Sequence, residues 1–264
     1  MTVAATLYYG GLRAFGITAL QRRMRDAGLI LCYHNVVRSE REETGSLGLH
    51  LPRARFEQQM RWLAQHYEVI RLSEFADRLT TGTSLRTTAA ITFDDGYSGV
   101  FDNAVPVLRR LGLPATVFIV PGAVDHTKEF WWDERASHRS AGWITIRAAL
   151  GRGIDLGAHS LTHPSLPTLD DNELRCEIIE SRVRIHRATG VWPEFFAYPF
   201  GHWNGRVRSI VQSAGYRGAV TVDCGLNNPG ADLWALRRIN VPSGITDAAF
   251  EAWAGGLQGL RRAG

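Results

Sequence analysis

Cysteine is scarce in this chain. Cys32, Cys176 and Cys224 are odd in number and scattered, which excludes a disulfide framework and any paired cysteine spacing for a structural metal. A reducing, cytoplasmic compartment is the expectation. Long apolar runs are missing too. The nearest approach, Val3 to Leu20, is broken by glycines and by Arg13; it is too short for a convincing membrane span and lacks the positive leader of a secretory signal. No repeat, low-complexity tract or internal linker interrupts the 264 residues, and with 45% hydrophobic content one large core fits better than two small ones. No basic stripe carries interleaved aromatics, so nucleic acid is not an expected partner. Net charge is only +4, with the excess in arginine. Arg22-Arg23-Met24-Arg25 and Arg261-Arg262 are terminal, which suits solvated ends or attraction to an anionic membrane face. The last absence concerns histidine: none follows His202.

What is present is an alternation of strand and helix patterns beginning at Gly28. Leu29 to Tyr33 reads as a strand ending at His34. Pro52 to His66 reads as an amphipathic helix with Phe56, Met60 and Leu63 on one face, followed by strand Tyr67 to Ile70 and helix Ser73 to Leu79. Helix Ser98 to Leu111, strand Ala115 to Val120 and an insertion holding Trp131 and Trp132 come next. A helix near Thr145 to Leu150, strand Ile154 to Ala158 and helix Asp170 to Thr189 follow. Strand Glu194 to Tyr198, helix Asn204 to Ala214, strand Tyr216 to Val222, a short strand at Arg238 to Val241 and helix Asp247 to Leu257 complete the order. Repeated βα units with polar residues at strand ends predict an α/β protein with a parallel sheet, either a barrel or a doubly wound sheet. Residues 1–27 read as an N-terminal helical extension. Its Leu7, Leu12, Phe15 and Leu20 would rest either on the barrel or, as a peripheral contact, on a membrane surface.

The run Ala89 to Phe93 reads as a buried central strand that ends in Asp94, Asp95 and Gly96. Successive strand residues point to opposite sides, so the two carboxylates cannot do the same job. Taken alone, Asp-Asp-Gly equally fits one helix cap and one solvated acid. The second cluster, His159-Ser160-Leu161-Thr162-His163-Pro164, also follows an apolar strand. Four-residue spacing puts both histidines on one face of a turn or short helix, and with an acidic strand end they form a His-His-Asp set whose remaining positions stay open to water. That is a catalytic rather than a closed structural metal arrangement.

Thr92-Phe93-Asp94-Asp95-Gly96 and His159-Ser160-Leu161-Thr162-His163 resemble the first two motifs of the polysaccharide deacetylases, the carbohydrate esterase family that includes nodulation-type chitooligosaccharide deacetylases. The resemblance runs from about Leu29 to about Val241. It implies a single-domain, distorted (β/α)7-type barrel over residues 28–264, and hydrolysis of N-acetyl groups on an amino sugar of a poly- or oligosaccharide or glycolipid precursor. It further implies a divalent metal, Zn²⁺ first and Co²⁺, Ni²⁺ or Fe²⁺ as substitutes, held by Asp95, His159 and His163, with Asp94 as general base. Other readings of the same centre are an amidase or deformylase acting on a lipid-linked sugar or a non-sugar amide, and an inactive carbohydrate-binding relative.

Two departures from the family pattern shape the remaining expectations. Phe196-Ala197-Tyr198-Pro199-Phe200-Gly201 is similar to the third motif, but Ala197 stands where the family has an Arg that braces the catalytic Asp. Arg238 is the candidate replacement, unless it is a surface residue; the Phe200 amide keeps the expected oxyanion role. The family's C-terminal general-acid His is missing. Tyr33-His34 resembles the Tyr-His of a branch that acts on bacterial surface polysaccharides, so His34 is expected to protonate the leaving amine unless it is a buried structural residue. Trp131, Trp132 and Trp203 would either stack on sugar faces or fill a core or lid.

Overall fold

The computed structural model describes residues 2–42, 48–124 and 138–258. Two short helices, α1 (Val3–Ala14) and α2 (Ile17–Met24), precede the first strand. The apolar run read as one helix is two, because Gly16 adopts a left-handed conformation and breaks the axis. Then come β1 (Leu29–Tyr33), a small parallel pair β2 (Asn35–Val37) and β3 (His50–Pro52), α3 (Arg53–His66), β4 (Glu68–Val69), α4 (Leu72–Thr81) and β5 (Thr88–Phe93). The helix expected from Ser98 opens with a π-helical stretch, Val100–Ala104, before α5 (Val105–Leu111). The chain continues through β6 (Ala115–Ile119), α6 (Trp143–Ala149), β7 (Ile154–Ala158), α7 (Asp171–Thr189), β8 (Phe195–Ala197), α8 (Gly205–Ser213), β9 (Gly218–Cys224), β10 (Leu236–Asn240) and α9 (Asp247–Ala254). Asp170 opens α7 with a full capping box, its side chain accepting from the Glu173 amide and the Glu173 carboxylate accepting from its own.

Seven parallel strands close on themselves in the order β1, β10, β9, β8, β7, β6, β5 and back to β1. The expected distorted (β/α)7-type barrel is therefore the observed fold. β4 adds only Glu68 and Val69, paired with Thr88 and Ala89 at the start of β5. Between β9 and β10 the register shifts, Leu236 opposing Val220 but Arg238 opposing Cys224. The first strand thus lies between the last strand and the strand that carries the two acids.

Alternation along the strands sorts their side chains into two apolar clusters. Leu29, Leu31, Ile91, Phe93, Val117 and Ile119 belong to the larger one, which includes the outer helices. Ile30, Ala90, Phe118, Ala197, Val220 and Leu236 belong to a smaller one, joined by Leu72, Phe75, Ala76 and Leu79 of α4. The second set lines the barrel interior, with α4 as its floor. The same two-residue period carries Cys32 and His34, Thr92 and Asp94, and Arg238 to the inner side. Tyr33 faces outward, its ring 5.3 Å from Phe56 and its hydroxyl donating to Gln59 at 2.9 Å.

Candidate active site

At the C-terminal end of β5 the ladder with β1 runs one residue past the strand, the Asp94 amide donating to the Tyr33 carbonyl at 2.9 Å. Asp94 therefore keeps its inward direction. Asp95 then turns to φ +69° and Gly96 to φ +71°, which swings the second carboxylate away from the first. Glycine is needed at 96 because a Cβ there would sit 2.9 Å from Ile119 Cδ1 in a left-handed backbone. Asp95 shares its conformation with Ser160 at φ +58°, His163 at +67° and Phe200 at +56°. Of six non-glycine residues with positive φ among those described, these four are at the two motifs and the Pro199-Phe200-Gly201 turn, where packing must hold a strained backbone in place.

Asp94 and Asp95, both buried, meet different partners. Asp94 forms a two-pronged ion pair with Arg238, whose Nη1 donates to Oδ1 and Nη2 to Oδ2, each at 2.7 Å. Arg238 is fully buried rather than on the surface; its Nε donates to the Thr221 carbonyl and its Nη1 also reaches Thr92 Oγ1. Burial alone would raise the Asp94 pKa, but the guanidinium, together with His159 and His34, holds it well below the usual carboxylate range. Cys32, on the neighbouring strand, points its thiol at Asp94 Oδ2 from 3.5 Å. Burial pushes that thiol's pKa well up, so it faces the carboxylate as a neutral donor.

Asp95 faces the histidines instead. Its Oδ1 is 3.6 Å from His159 Nε2 and 3.5 Å from His163 Nε2, and the two Nε2 atoms are 3.2 Å apart. The His159 tautomer follows from its other nitrogen: Nδ1 is 2.8 Å from the Ala197 carbonyl, a pure acceptor, so Nδ1 carries the proton and Nε2 a lone pair. Burial lowers the pKa of both imidazoles, which keeps them neutral. A carboxylate oxygen and two imidazole Nε2 atoms thus converge on one point. Ligands ~2.1 Å from a tetrahedral ion are ~3.4 Å apart, close to the separations found, so the set fits a divalent cation.

The two histidines do not sit on a helix, contrary to one of the geometries their spacing allowed. Positive φ at Ser160 and His163, with Pro164 following, forbids it. The loop is held from outside by α7: Glu177 Oε2 accepts from the Leu161 and Thr162 amides at 2.8 and 2.9 Å, and Oε1 accepts from the Thr162 hydroxyl at 2.6 Å. Ser160 Oγ accepts from the His163 amide at 2.9 Å. Glu177 was not anticipated; nothing in a sequence marks which surface glutamate of a long helix will reach a loop sixteen residues upstream.

His34 follows β1 on the inner side, and its ring, the Cys32 thiol and the Asp94 carboxylate offer atoms all within 4.8 Å of one another. Burial drives its pKa down to about 4, against the opposing pull of Asp94. At neutral pH the free site therefore holds a neutral His34. Phe200 lies with 42% of its surface exposed and its ring 4.6 Å from that of His163. His202 is exposed and pairs with Ser165 at 3.0 Å. Trp203 is partly buried and stacks on Tyr198, with ring centroids 5.8 Å apart, whereas Trp131 and Trp132 fall outside the described residues.

Residues 81–219 match the family model described as polysaccharide deacetylase. The chain belongs to the polysaccharide deacetylase family. It is accordingly a hydrolase of the deacetylase class. Over 226 residues it is 26% identical to the provisionally named polysaccharide deacetylase YxkH of Bacillus subtilis, which covers 85% of this chain and 75% of that protein. A shorter stretch of 72 residues, 27% of this chain and 25% of the other, is 35% identical to the poly-beta-1,6-N-acetyl-D-glucosamine N-deacetylase of Staphylococcus aureus. The fold is similar to that of the Streptococcus pyogenes deacetylase PplD, with TM-score 0.73 and 20% identity over 83% of this chain and 94% of that one. It is also similar to IcaB from Ammonifex degensii, with TM-score 0.73 and 24% identity over 88% and 98%.

Proposed function

We propose that this deacetylase removes N-acetyl groups from an amino sugar within a poly- or oligosaccharide or a glycolipid precursor, using a divalent metal, Zn²⁺ by the chemistry of its ligands. The division of labour between Asp94 and Asp95 carries the reading: one carboxylate is locked to a buried arginine and the other faces two neutral imidazoles. Asp95, His159 and His163 would hold the ion. When bound, such an ion acidifies a water and polarises an acyl oxygen.

The chain's own groups do the rest. Asp94 is the base: Arg238 occupies one pair of positions on its two oxygens and leaves the carboxylate anionic, fixed in direction and able to accept a proton from a water in the cavity. That proton must end on the leaving nitrogen, since an amine anion is too basic to depart. His34 is in reach of Asp94 and, being neutral at rest, it would take that proton from Asp94 on its free ring nitrogen and, as the imidazolium, pass a proton to the leaving nitrogen, returning to neutral. The bond that forms is water oxygen to acyl carbon; the bond that breaks is acyl carbon to nitrogen. The products are acetate and a free amino sugar. The Phe200 amide is the candidate second donor to the oxyanion.

Release of free amine and acetate from a panel of N-acetylated oligosaccharides, polysaccharides and lipid-linked sugars, with and without a chelator, tests the proposal. Activity on at least one N-acetylated glycan, lost with chelator and restored by Zn²⁺, is expected. Activity unchanged after complete metal removal would sink the metal-dependent part. Turnover of N-formyl or non-sugar amides alone would move the substrate class.

A further inference from the structure

Apolar exposure is unevenly distributed. Of thirteen large hydrophobic side chains exposed among the described residues, seven lie between Val3 and Met24, and the other six are scattered over the remaining chain. Val3 and Leu7, one turn apart on α1, are 78% and 72% exposed, and Phe15 at the junction is 83% exposed. On α2, Ile17, Leu20 and Met24 follow the i, i+3, i+7 spacing of one face, with Leu20 at 58% and Met24 at 68%. The opposite faces are committed to the protein. Tyr9 is fully buried and its hydroxyl accepts from Trp253 Nε1 at 2.9 Å; Arg22 is buried with its guanidinium 5.4 Å from the centre of the Trp62 ring. The outward apolar face is thus not a frayed terminus but the unused side of two docked helices.

We propose that this face seats the protein on a lipid bilayer with anionic headgroups. Charge selects that occupant. No acidic residue occurs from Thr2 to Arg25, where Arg13, Arg22, Arg23 and Arg25 are the only charged side chains; Arg23 and Arg25, flanking Met24 in sequence, are exposed, and Arg25 Nη1 also reaches the Gly256 carbonyl at 3.4 Å. Of the acids that meet this segment, Asp26 accepts from Ser84 and the Leu85 amide, and Glu251 is taken up by Arg13 at 3.3 Å. A symmetric dimer through this patch would bring two such surfaces together, arginine against arginine, with no acidic residue within Thr2 to Arg25 of either copy. A negatively charged headgroup layer supplies the missing charge, and the apolar side chains enter the acyl boundary below it. This inference rests on residues away from the candidate active site and does not depend on its chemistry.

Flotation of the full chain with vesicles tests it. The wild type should float with phosphatidylglycerol–phosphatidylcholine vesicles, on the order of tenfold less with pure phosphatidylcholine or at high salt. Phe15→Glu combined with Leu20→Glu should weaken flotation by on the order of a hundredfold while leaving acetate release from a soluble glycan and the melting temperature unchanged; Arg23→Glu with Arg25→Glu should abolish the preference for anionic vesicles. A wild type that stays in solution with anionic vesicles overturns the proposal, as does a double variant that floats equally well. A wild-type dimer in analytical ultracentrifugation that the same substitutions split, without vesicle binding, assigns the face to a second copy and overturns it too.

Discussion

Arg238 and Asp94 are joined by two hydrogen bonds of 2.7 Å in a site where both are buried, linking β10 to the end of β5 across the mouth of the barrel. Burial removes most of the hydration each charge would have in solution, so each is sustained chiefly by the other.

Removal of one partner should be costly. Arg238→Ala leaves a buried unpaired carboxylate and is expected to destabilise the fold by about 3 to 5 kcal/mol. Arg238→Lys keeps the charge but loses the planar fork; the Asp94 pKa, held low by the guanidinium, should rise. The acid limb of kcat/KM should therefore move to higher pH in the Lys variant. An unmoved limb with full activity would separate Arg238 from the base.

Asp94→Asn and Asp95→Asn should fail differently. The first is expected to retain bound metal while losing ~10²- to 10⁴-fold in rate. The second, like His163→Ala, should lose metal and activity together. Metal content by elemental analysis beside acetate release separates them, and an empty metal site in Asp94→Asn contradicts the assigned roles.

His34→Ala should lower turnover and leave metal content intact. Because the pKa of His34 lies at about 4, the alkaline limb of the wild-type profile should not report it, and its position should be the same in the variant. An alkaline limb that moves or disappears in His34→Ala would show that the residue is charged in the working enzyme after all.

The same shift predicts a stability slope. The folded-state pKa of about 4 lies below the ordinary 6.5, so between those values the unfolded chain binds a proton that the folded chain does not. Stability of the metal-free protein should fall as pH drops from about 6.5 to 4, His34 contributing about 1 to 3 kcal/mol of the loss and nothing further below about 4. Thermal melts in chelator for wild type and His34→Asn should diverge over that window. Parallel curves would refute the assignment.

Glu177 touches no reacting atom; it positions the loop that carries His163. Glu177→Ala is expected to weaken metal affinity by ~10- to 100-fold, read by competition with a chromophoric chelator, with the melting temperature of the metal-free protein changed far less.

The order of strands and helices was legible because each βα unit buries a local apolar pattern, and the two motifs declared themselves because a catalytic centre needs charge where a strand pattern would otherwise continue apolar. Helix ends were off by a few residues where capping rather than apolar periodicity decides them, as in the helix expected to run to Leu257, which ends at Ala254, and the break at Gly16 reflects a backbone choice that apolar spacing does not encode. The identity of Arg238 as the residue facing Asp94 was legible only as a candidate. Its confinement to that role comes from the barrel's closure and the register shift between β9 and β10.

Short-range chemistry, and hence the sequence alone, settled the alternation of elements, the placing of two acids at one strand end, and the four-residue step between the histidines. The remaining properties of the site depend on the interior's low dielectric and on contacts between distant segments. Burial makes His34 neutral, the Ala197 carbonyl sets the His159 tautomer, and Glu177 holds the histidine loop from a helix that follows it. None of these is a property of any residue alone, because solvation and hydrogen-bond partners exist only once the chain has closed around the site.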